Sequence, residues 1–261
     1  MKVTITIPIY ISDELLAEFT EKTVESIKSS HDYEIVIVNN YCKSEFIPRM
    51  KKLGTFYNND ENCLSKSWNI GIKHGLNNNS DYIIIPNNDL IFHPEAIDNL
   101  VKFAEDHPEF IMWTSAEHID MRTINSAPIG DSFDEHPHFS CFMISPKTVE
   151  ILRKKELNTR ETYPGLFDEG YKPAYFEDGD YHNRILRAGQ KAGKTASSLF
   201  YHFGSRTIKV DEELGIKNRR SYETNRAYFR DKWGFDPHNR VTPNDDSIRF
   251  KYKEPYGKKV S

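Results

Sequence analysis

Tyr82-Ile83-Ile84-Ile85-Pro86-Asn87-Asn88-Asp89 is an apolar run that stops at two amides and a carboxylate, and apolar residues resume at Leu90-Ile91-Phe92. A short run rich in Ile and Tyr predicts a buried strand whose polar end lies at the edge of a sheet. In an open α/β sheet the carboxyl edge is where ligands bind. A carboxylate and amide oxygens at that edge are hard donors, suited to Mg²⁺ or Mn²⁺ carrying a diphosphate. Asn-Asn-Asp is also ordinary turn chemistry, so the stretch indicates a fold and needs company to indicate a function.

On either side of it, apolar runs alternate with helical spacing. Strands are predicted over 3–9, 34–38, 55–58, 81–86 and 110–114, and helices over 13–29, 44–52, 64–74 and 94–105, with Gly75 as a stop. This order predicts an α/β fold with a Rossmann-like, mostly parallel, doubly wound central sheet flanked by helices. The strands over 3–9 and 34–38 also end in polar residues at the same edge. No Gly-x-Gly-x-x-Gly follows the first strand, which argues against a dinucleotide site.

The second half is less regular. A polar loop over 117–137 is long enough to suggest function. A strand over 138–145, a helix over 146–154, a turn-rich stretch at 165–170, a helix over 178–188 closed by Gly189 and a strand over 197–203 follow. The tail is a helical or irregular extension with one helix over 222–232, where Tyr222, Tyr228, Phe229 and Trp233 either dock on the body or ride on a lid.

Composition excludes several classes. The 261 residues carry a net charge of −4, which leaves no electrostatic footprint for nucleic acid. Cys42, Cys63 and Cys141 have no metal-type spacing and predict ordinary thiols in a reducing compartment. The start is too short and polar for a signal peptide, and no apolar run approaches membrane-spanning length. The expected location is the cytoplasm, free or peripheral to a membrane.

Two further features carry chemistry. Tyr175-Phe176-Glu177-Asp178-Gly179-Asp180 sets three carboxylates at a helix start. The helix dipole explains part of that pattern, but the aromatic setting can lift a carboxylate pKa toward that of a general base. His202, at the end of the last strand, is structural or a ligand; one imidazole in a hard-oxygen site is chemically sensible.

In this order the features resemble the family 2-like glycosyltransferases of GT-A fold. Val3-Thr4-Ile5-Thr6-Ile7-Pro8-Ile9-Tyr10 resembles the family's opening strand, and Glu34-Ile35-Val36-Ile37-Val38-Asn39-Asn40 its nucleotide-contacting strand. Asn62-Cys63-Leu64-Ser65-Lys66-Ser67-Trp68-Asn69-Ile70-Gly71 is similar to the segment that approaches the nucleotide. Asn87-Asn88-Asp89 resembles an Asn-x-Asp variant of the DxD metal motif. The segment from Gly165 to Glu169, with Glu177-Asp178-Gly179-Asp180 and Arg184, resembles the acceptor-side block.

The resemblance implies a GT-A domain over 1–205 and a C-terminal extension over 206–261. It implies Asp178 as general base, with Glu177 and Asp180 orienting the site or binding the acceptor. Asp89, Asn87 and His202 would hold Mn²⁺ or Mg²⁺. Pro8, Tyr10, Asn39, Asn40, Lys66, Asn69, Asn87 and Asn88 would contact the nucleotide-sugar. Arg206 is a candidate for the diphosphate or acceptor. The implied reaction is inverting transfer from a nucleotide-diphosphate sugar, UDP being favoured, to a saccharide or glycolipid acceptor, as in polysaccharide biosynthesis. Asn39-Asn40 stands where members often carry Asp, which bears on uracil and ribose contacts. A degenerate binding protein of the same fold is the alternative. A sugar-phosphate nucleotidyltransferase fits less well, because the 8–13 loop has no glycine.

Overall fold

The computed structural model describes residues 1–157, 159, 161–204 and 212–238, with the backbone alone for 212–218. In chain order the elements are β1 (Lys2–Ile11), α1 (Glu14–Ser26), β2 (Asp32–Cys42), α2 (Ile47–Met50), β3 (Thr55–Asn58), α3 (Leu64–Asn77), β4 (Tyr82–Pro86) and β5 (Leu90–Phe92). They continue with α4 (Ala96–Asp106), β6 (Phe110–His118), β7 (Phe133–Asp134), β8 (Cys141–Ile144), α5 (Pro146–Glu156), α6 (Glu177–Arg187), β9 (Lys191–His202) and α7 (Glu212–Trp233).

The sheet order is β3-β2-β1-β4-β8-β6-β9-β5, with β7 paired to β9. Strands β1, β2, β3, β4, β6 and β9 share one direction, and β5, β7 and β8 run against them. The sheet is therefore mostly parallel, with the reversed β8 wedged between β4 and β6. Of the reversed strands, β5 is the short apolar run Leu90–Phe92 and β7 only Phe133–Asp134, and neither is among the strands predicted from the sequence.

Alternation along the strands distributes the core to two faces. On β1 the odd positions Val3, Ile5, Ile7 and Ile9 join Leu16 and Phe19 of α1 and Leu100 of α4. On β4, Ile84 joins that cluster, while Ile83 and Ile85 face the other, with Trp68, Ile72, Phe142 and Phe167. Each such apolar side chain, fully buried, stabilises the fold by about 1.5–3 kcal/mol.

The even positions of β1 face α3, which lies very close. A Cβ on Gly71 would meet Thr6 Cγ2 at 2.0 Å, and one on Gly75 would meet Ile83 Cγ1 at 2.5 Å. Gly75 is thus a packing glycine inside α3, and the helix runs on to Asn77 instead of stopping there. Asp13 caps α1 by accepting from Leu16 N at 3.0 Å, and Ser145 and Thr148 form a capping box on α5 ahead of Pro146. Cys42, Cys63 and Cys141 are free thiols, the last two buried. Among the described residues no helix is long and apolar enough to cross a membrane.

Candidate active site at the carboxyl edge of the sheet

The turn Asn87–Asp89 leaves β4 at this edge, and antiparallel pairing of β5 with β9 sets Leu90 opposite His202. Phe203 N donates to Asp89 O at 3.0 Å. As a result His202 Nε2 stands 3.1 Å from Asp89 Oδ1, and Asp89 is 6% exposed. Burial of the imidazole opposes its protonation, but the hydrogen bond and charge of Asp89, with Glu117 farther off, outweigh it and raise its pKa. Helix α1 secures the turn from beneath. Asn88 Nδ2 donates to Thr20 Oγ1 at 2.9 Å and Leu90 N to Thr23 Oγ1 at 3.0 Å.

Asn87 N donates to Ser140 O at 2.8 Å. Asn87 lines a cleft of about 390 Å³ with Trp68, His138, Glu177 and Asp178 among its walls. The acidic wall is the first turn of α6, reached through two consecutive left-handed residues, Tyr175 (φ 89°) and Phe176 (φ 72°). Glu177 is 5% exposed and its Oε2 has no partner among the described residues. Burial, then the neighbouring Asp178, pushes its carboxyl well above the usual range. Asp178 is half-buried and accepts from Gly179 N at 2.7 Å; burial raises its pKa despite that hydrogen bond. Trp68 Nε1 is likewise buried without a partner. Trp68 and Glu177 both line the cleft, and burying such polar groups unpaired costs about 1–3 kcal/mol each.

The expected nucleotide-side residues gather at the ends of β1 and β2. Pairing skips Asn40: Ile9 faces Asn39 and Tyr10 faces Tyr41. A bulge of this kind re-aims its extra residue. Asn40 Oδ1 accepts from Cys63 N at 2.8 Å and its Nδ2 donates to Asn62 Oδ1 at 2.8 Å, tying β2 to the start of α3. Asn39 Nδ2 donates to Asn58 Oδ1 at 3.0 Å, while its buried Oδ1 has no partner among the described residues. The rings of Tyr10 and Tyr41 stack at 4.7 Å. Pro8 is buried within β1, opposite Val38. Lys66 pairs with Asp60.

Two expected residues lie away from any ligand-facing surface. Asn69 is fully buried; its Nδ2 donates to Phe167 O at 2.8 Å and Glu169 Oε1 at 2.9 Å, and its Oδ1 accepts from Phe167 N at 2.9 Å. It braces the 167–169 stretch against α3 and has no polar atom left over for a nucleotide. Asp180 is also fully buried, and its Oδ1 accepts from Trp233 Nε1 at 2.8 Å and lies 2.8 Å from Lys232 Nζ. The direct acceptor-binding role expected of it is corrected: residues two apart on a helix point to nearly opposite sides, so Asp178 takes the cleft and Asp180 takes α7.

Glu161, Asp168 and Asp180 each offer an oxygen, all within 4.8 Å of one another, a spacing a metal could use. Lys232 already fills that role, with Nζ 2.8 Å from Glu161, 2.6 Å from Asp168 and 2.8 Å from Asp180. Arg206 and the boundary at 205–206 lie outside the described residues. Sequence reasoning passed over Trp68 and His138 as cleft walls. Its one available signal for Trp68 was the indole's place beside Asn69 in the quoted segment.

Comparison with solved structures places this geometry in a known fold. A crystal structure of GalNAc-T7 with UDP, GalNAc and Mn²⁺ is 12% identical, with a TM-score of 0.58 over 77% of this chain and 43% of that one. Staphylococcus aureus TarS 1–349 is 11% identical, with a TM-score of 0.55 over 88% and 72%. The Pyrobaculum calidifontis mannosyltransferase PcManGT, in complex with GDP-Man and Mn²⁺, is 14% identical, with a TM-score of 0.54 over 77% and 56%. The chain therefore spans under half of the GalNAc-T7 chain. At these identities the likeness shows the GT-A fold. No curated protein matches the chain. The profile of glycosyl transferase family 2 matches residues 4–169, which take in β1, the Asn39-Asn40 bulge, Asn69 and the Asn87–Asp89 turn, and the chain belongs to that family.

Proposed function

We propose that the chain is a metal-dependent, inverting glycosyltransferase that moves a sugar from a nucleoside-diphosphate sugar to a hydroxyl of a saccharide or lipid-linked saccharide. The observation that carries the reading is the cleft bounded by Asn87, from the Asn-x-Asp turn, on one side and by Asp178 on the other. The mannosyltransferase and GalNAc-T7 structures, with GDP-Man or UDP and with Mn²⁺, support a nucleotide donor; UDP is the nucleotide we favour.

The residues present fit a divalent cation. Asp89 supplies a carboxylate oxygen and His202 an imidazole nitrogen 3.1 Å apart, and Asn87, two residues before Asp89 in the same turn, lines the cleft, a hard-oxygen set with one nitrogen. Bound there, Mn²⁺ or Mg²⁺ would neutralise charge on the diphosphate leaving group.

The chain's own groups do the rest. Asp178, its pKa raised by burial, accepts the proton from the acceptor hydroxyl oxygen as that oxygen bonds to the anomeric carbon. The bond from that carbon to the diphosphate oxygen breaks on the opposite face, giving inversion and a free nucleoside diphosphate. Glu177, whose carboxyl pKa is raised by burial, and Trp68 Nε1 are the unpartnered polar groups among the described residues of the cleft lining that would meet the sugar or the acceptor. Asn39 presents its unpartnered Oδ1 to the nucleotide, beside the Tyr10–Tyr41 stack. Asn69 and Asp180 act indirectly, by bracing the segments that carry the site.

The test is release of UDP from UDP-glucose, UDP-N-acetylglucosamine and UDP-N-acetylgalactosamine, and of GDP from GDP-mannose. Wild type and Asp178→Asn are compared, each with Mn²⁺ and with EDTA. The proposal expects metal-dependent release from one donor, reduced at least ~100-fold in the variant. Release indifferent to both EDTA and Asp178→Asn, or none from any donor, would contradict it.

A further inference from the structure

The family profile ends at residue 169, yet the proposed base lies beyond it, on α6. What aims that base is therefore a matter for this chain's own C-terminal half. The approach to α6 is strained. Tyr175 and Phe176 are both left-handed, a conformation that crowds the Cβ of a bulky L-residue against its own backbone. Two in succession persist only where neighbours over-determine them.

Helix α7 supplies those neighbours. Asn225 is 2% exposed, and its Nδ2 donates to the backbone carbonyls of Ala174 at 2.7 Å and Tyr175 at 3.3 Å. Its Oδ1 accepts from Lys172 N at 3.3 Å. One side chain thus holds three residues, Lys172, Ala174 and Tyr175, of the stretch entering α6. The Tyr222 ring packs against Tyr175 at 5.4 Å and Phe176 at 4.9 Å. On the far side of the first turn of α6, Lys232 and Trp233 hold Asp180.

We infer that Asn225 is a positioning residue for the transfer reaction, holding Tyr175 and Phe176 left-handed so that Asp178 faces the cleft. Released, either residue gains by returning to an ordinary backbone conformation, and the first turn of α6 swings with it. A displacement of about 1 Å at a reacting group is enough to cost ~100-fold in rate. The donor edge is built on β1, β2 and β4 rather than on α6, so turnover and donor binding should separate. The inference rests on Asp178 acting as the base.

The experiment compares wild type, Asn225→Ala, Asp178→Asn and the double variant, using whichever of the four donors named above is turned over. Expected for Asn225→Ala are a 10–100-fold fall in kcat, a donor KM within about twofold of wild type and an unchanged Mn²⁺–UDP thermal shift. The double variant should be no slower than Asp178→Asn alone, because a misaimed base and an absent one lose the same contribution. If Asn225→Ala does not fold, Tyr222→Leu tests the same hold at a half-buried position. Asp178→Asn impaired while Asn225→Ala turns over normally, or losses that multiply in the double variant, would overturn this inference alone. Asp178→Asn as fast as wild type would overturn the base assignment and this inference with it.

Discussion

Glu177 and Asp178 are sequence neighbours whose carboxyls the fold treats differently: one is sealed without a partner, the other half-buried and hydrogen-bonded to Gly179 N. Both pKa values are raised, burial being the first cause, and the consequences differ in sign of use. A general base works deprotonated, so kcat should fall as pH drops through the raised pKa of Asp178. A kcat–pH profile should place that acidic limb above the ordinary Asp value of about 3.9. For Glu177 the consequence is stability. A carboxyl whose folded pKa is raised stabilises the fold below its unfolded pKa, and that contribution is lost as pH rises through the folded value. Glu177→Gln, neutral and of equal size, should therefore be more stable than wild type at pH 8. The gain is about 1.4 kcal/mol for each unit of raised pKa, and the two proteins should converge near pH 4 in chemical denaturation. Asp89, His202 and Asp178 could be named from sequence because each ends or opens an element beside a break in apolar pattern. The inward turn of Asp180 and the orphaned Trp68 Nε1 could not, because both depend on what packs against the helix from distant parts of the chain.

At the scale of elements, β1 shows how local pattern and site geometry are joined. Its odd residues are Ile and Val for the α1–α4 face, and its even residues are small enough for α3 to approach. That approach brings Asn69 to the 167–169 stretch. Gly71→Ala would drive a Cβ into Thr6 and should cost roughly 1–3 kcal/mol, read as a lower denaturation midpoint with an unchanged slope. Most strands were evident from apolar pattern and most helices from spacing, to within a few residues at the ends, but β9 begins at Lys191 rather than 197 and α7 at Glu212 rather than 222. The direction of β8 was not. A strand over 138–145 is the same string of residues whichever way it runs, and only its pairing with β4 and β6 decides. The three residues of β5 and the two of β7 carry no period to detect, and their pairing with β9 defines them.

Across the whole molecule, the C-terminal helix α7 packs on the body of the fold. Phe229 and Trp233 are 2% exposed and pack with Tyr171, so the aromatic face read from sequence docks on the body. Lys232 is turned inward among three carboxylates instead of toward a diphosphate. Lys232→Met should destabilise the protein by about 3–5 kcal/mol, because it strips Asp168 of its cation and leaves Glu161 and Asp180 with Arg184 alone, at 3.7 and 3.6 Å. Part of that loss should return at lower pH in thermal melts, since acids crowded together hold protons more tightly folded than unfolded. No sequence pattern joins residues 161, 168, 180 and 232; the sheet and helices must be assembled first.

The central claim is that the carboxyl edge holds a nucleoside diphosphate through a cation at Asp89 and His202. Its most direct test is a thermal-shift comparison of UDP, dTDP and GDP, each with Mn²⁺ and with EDTA, on wild type and Asp89→Ala. A stabilising shift is expected with UDP that needs Mn²⁺ and disappears in Asp89→Ala. No shift with any nucleotide at millimolar concentration, or a shift that survives both EDTA and Asp89→Ala, would contradict it.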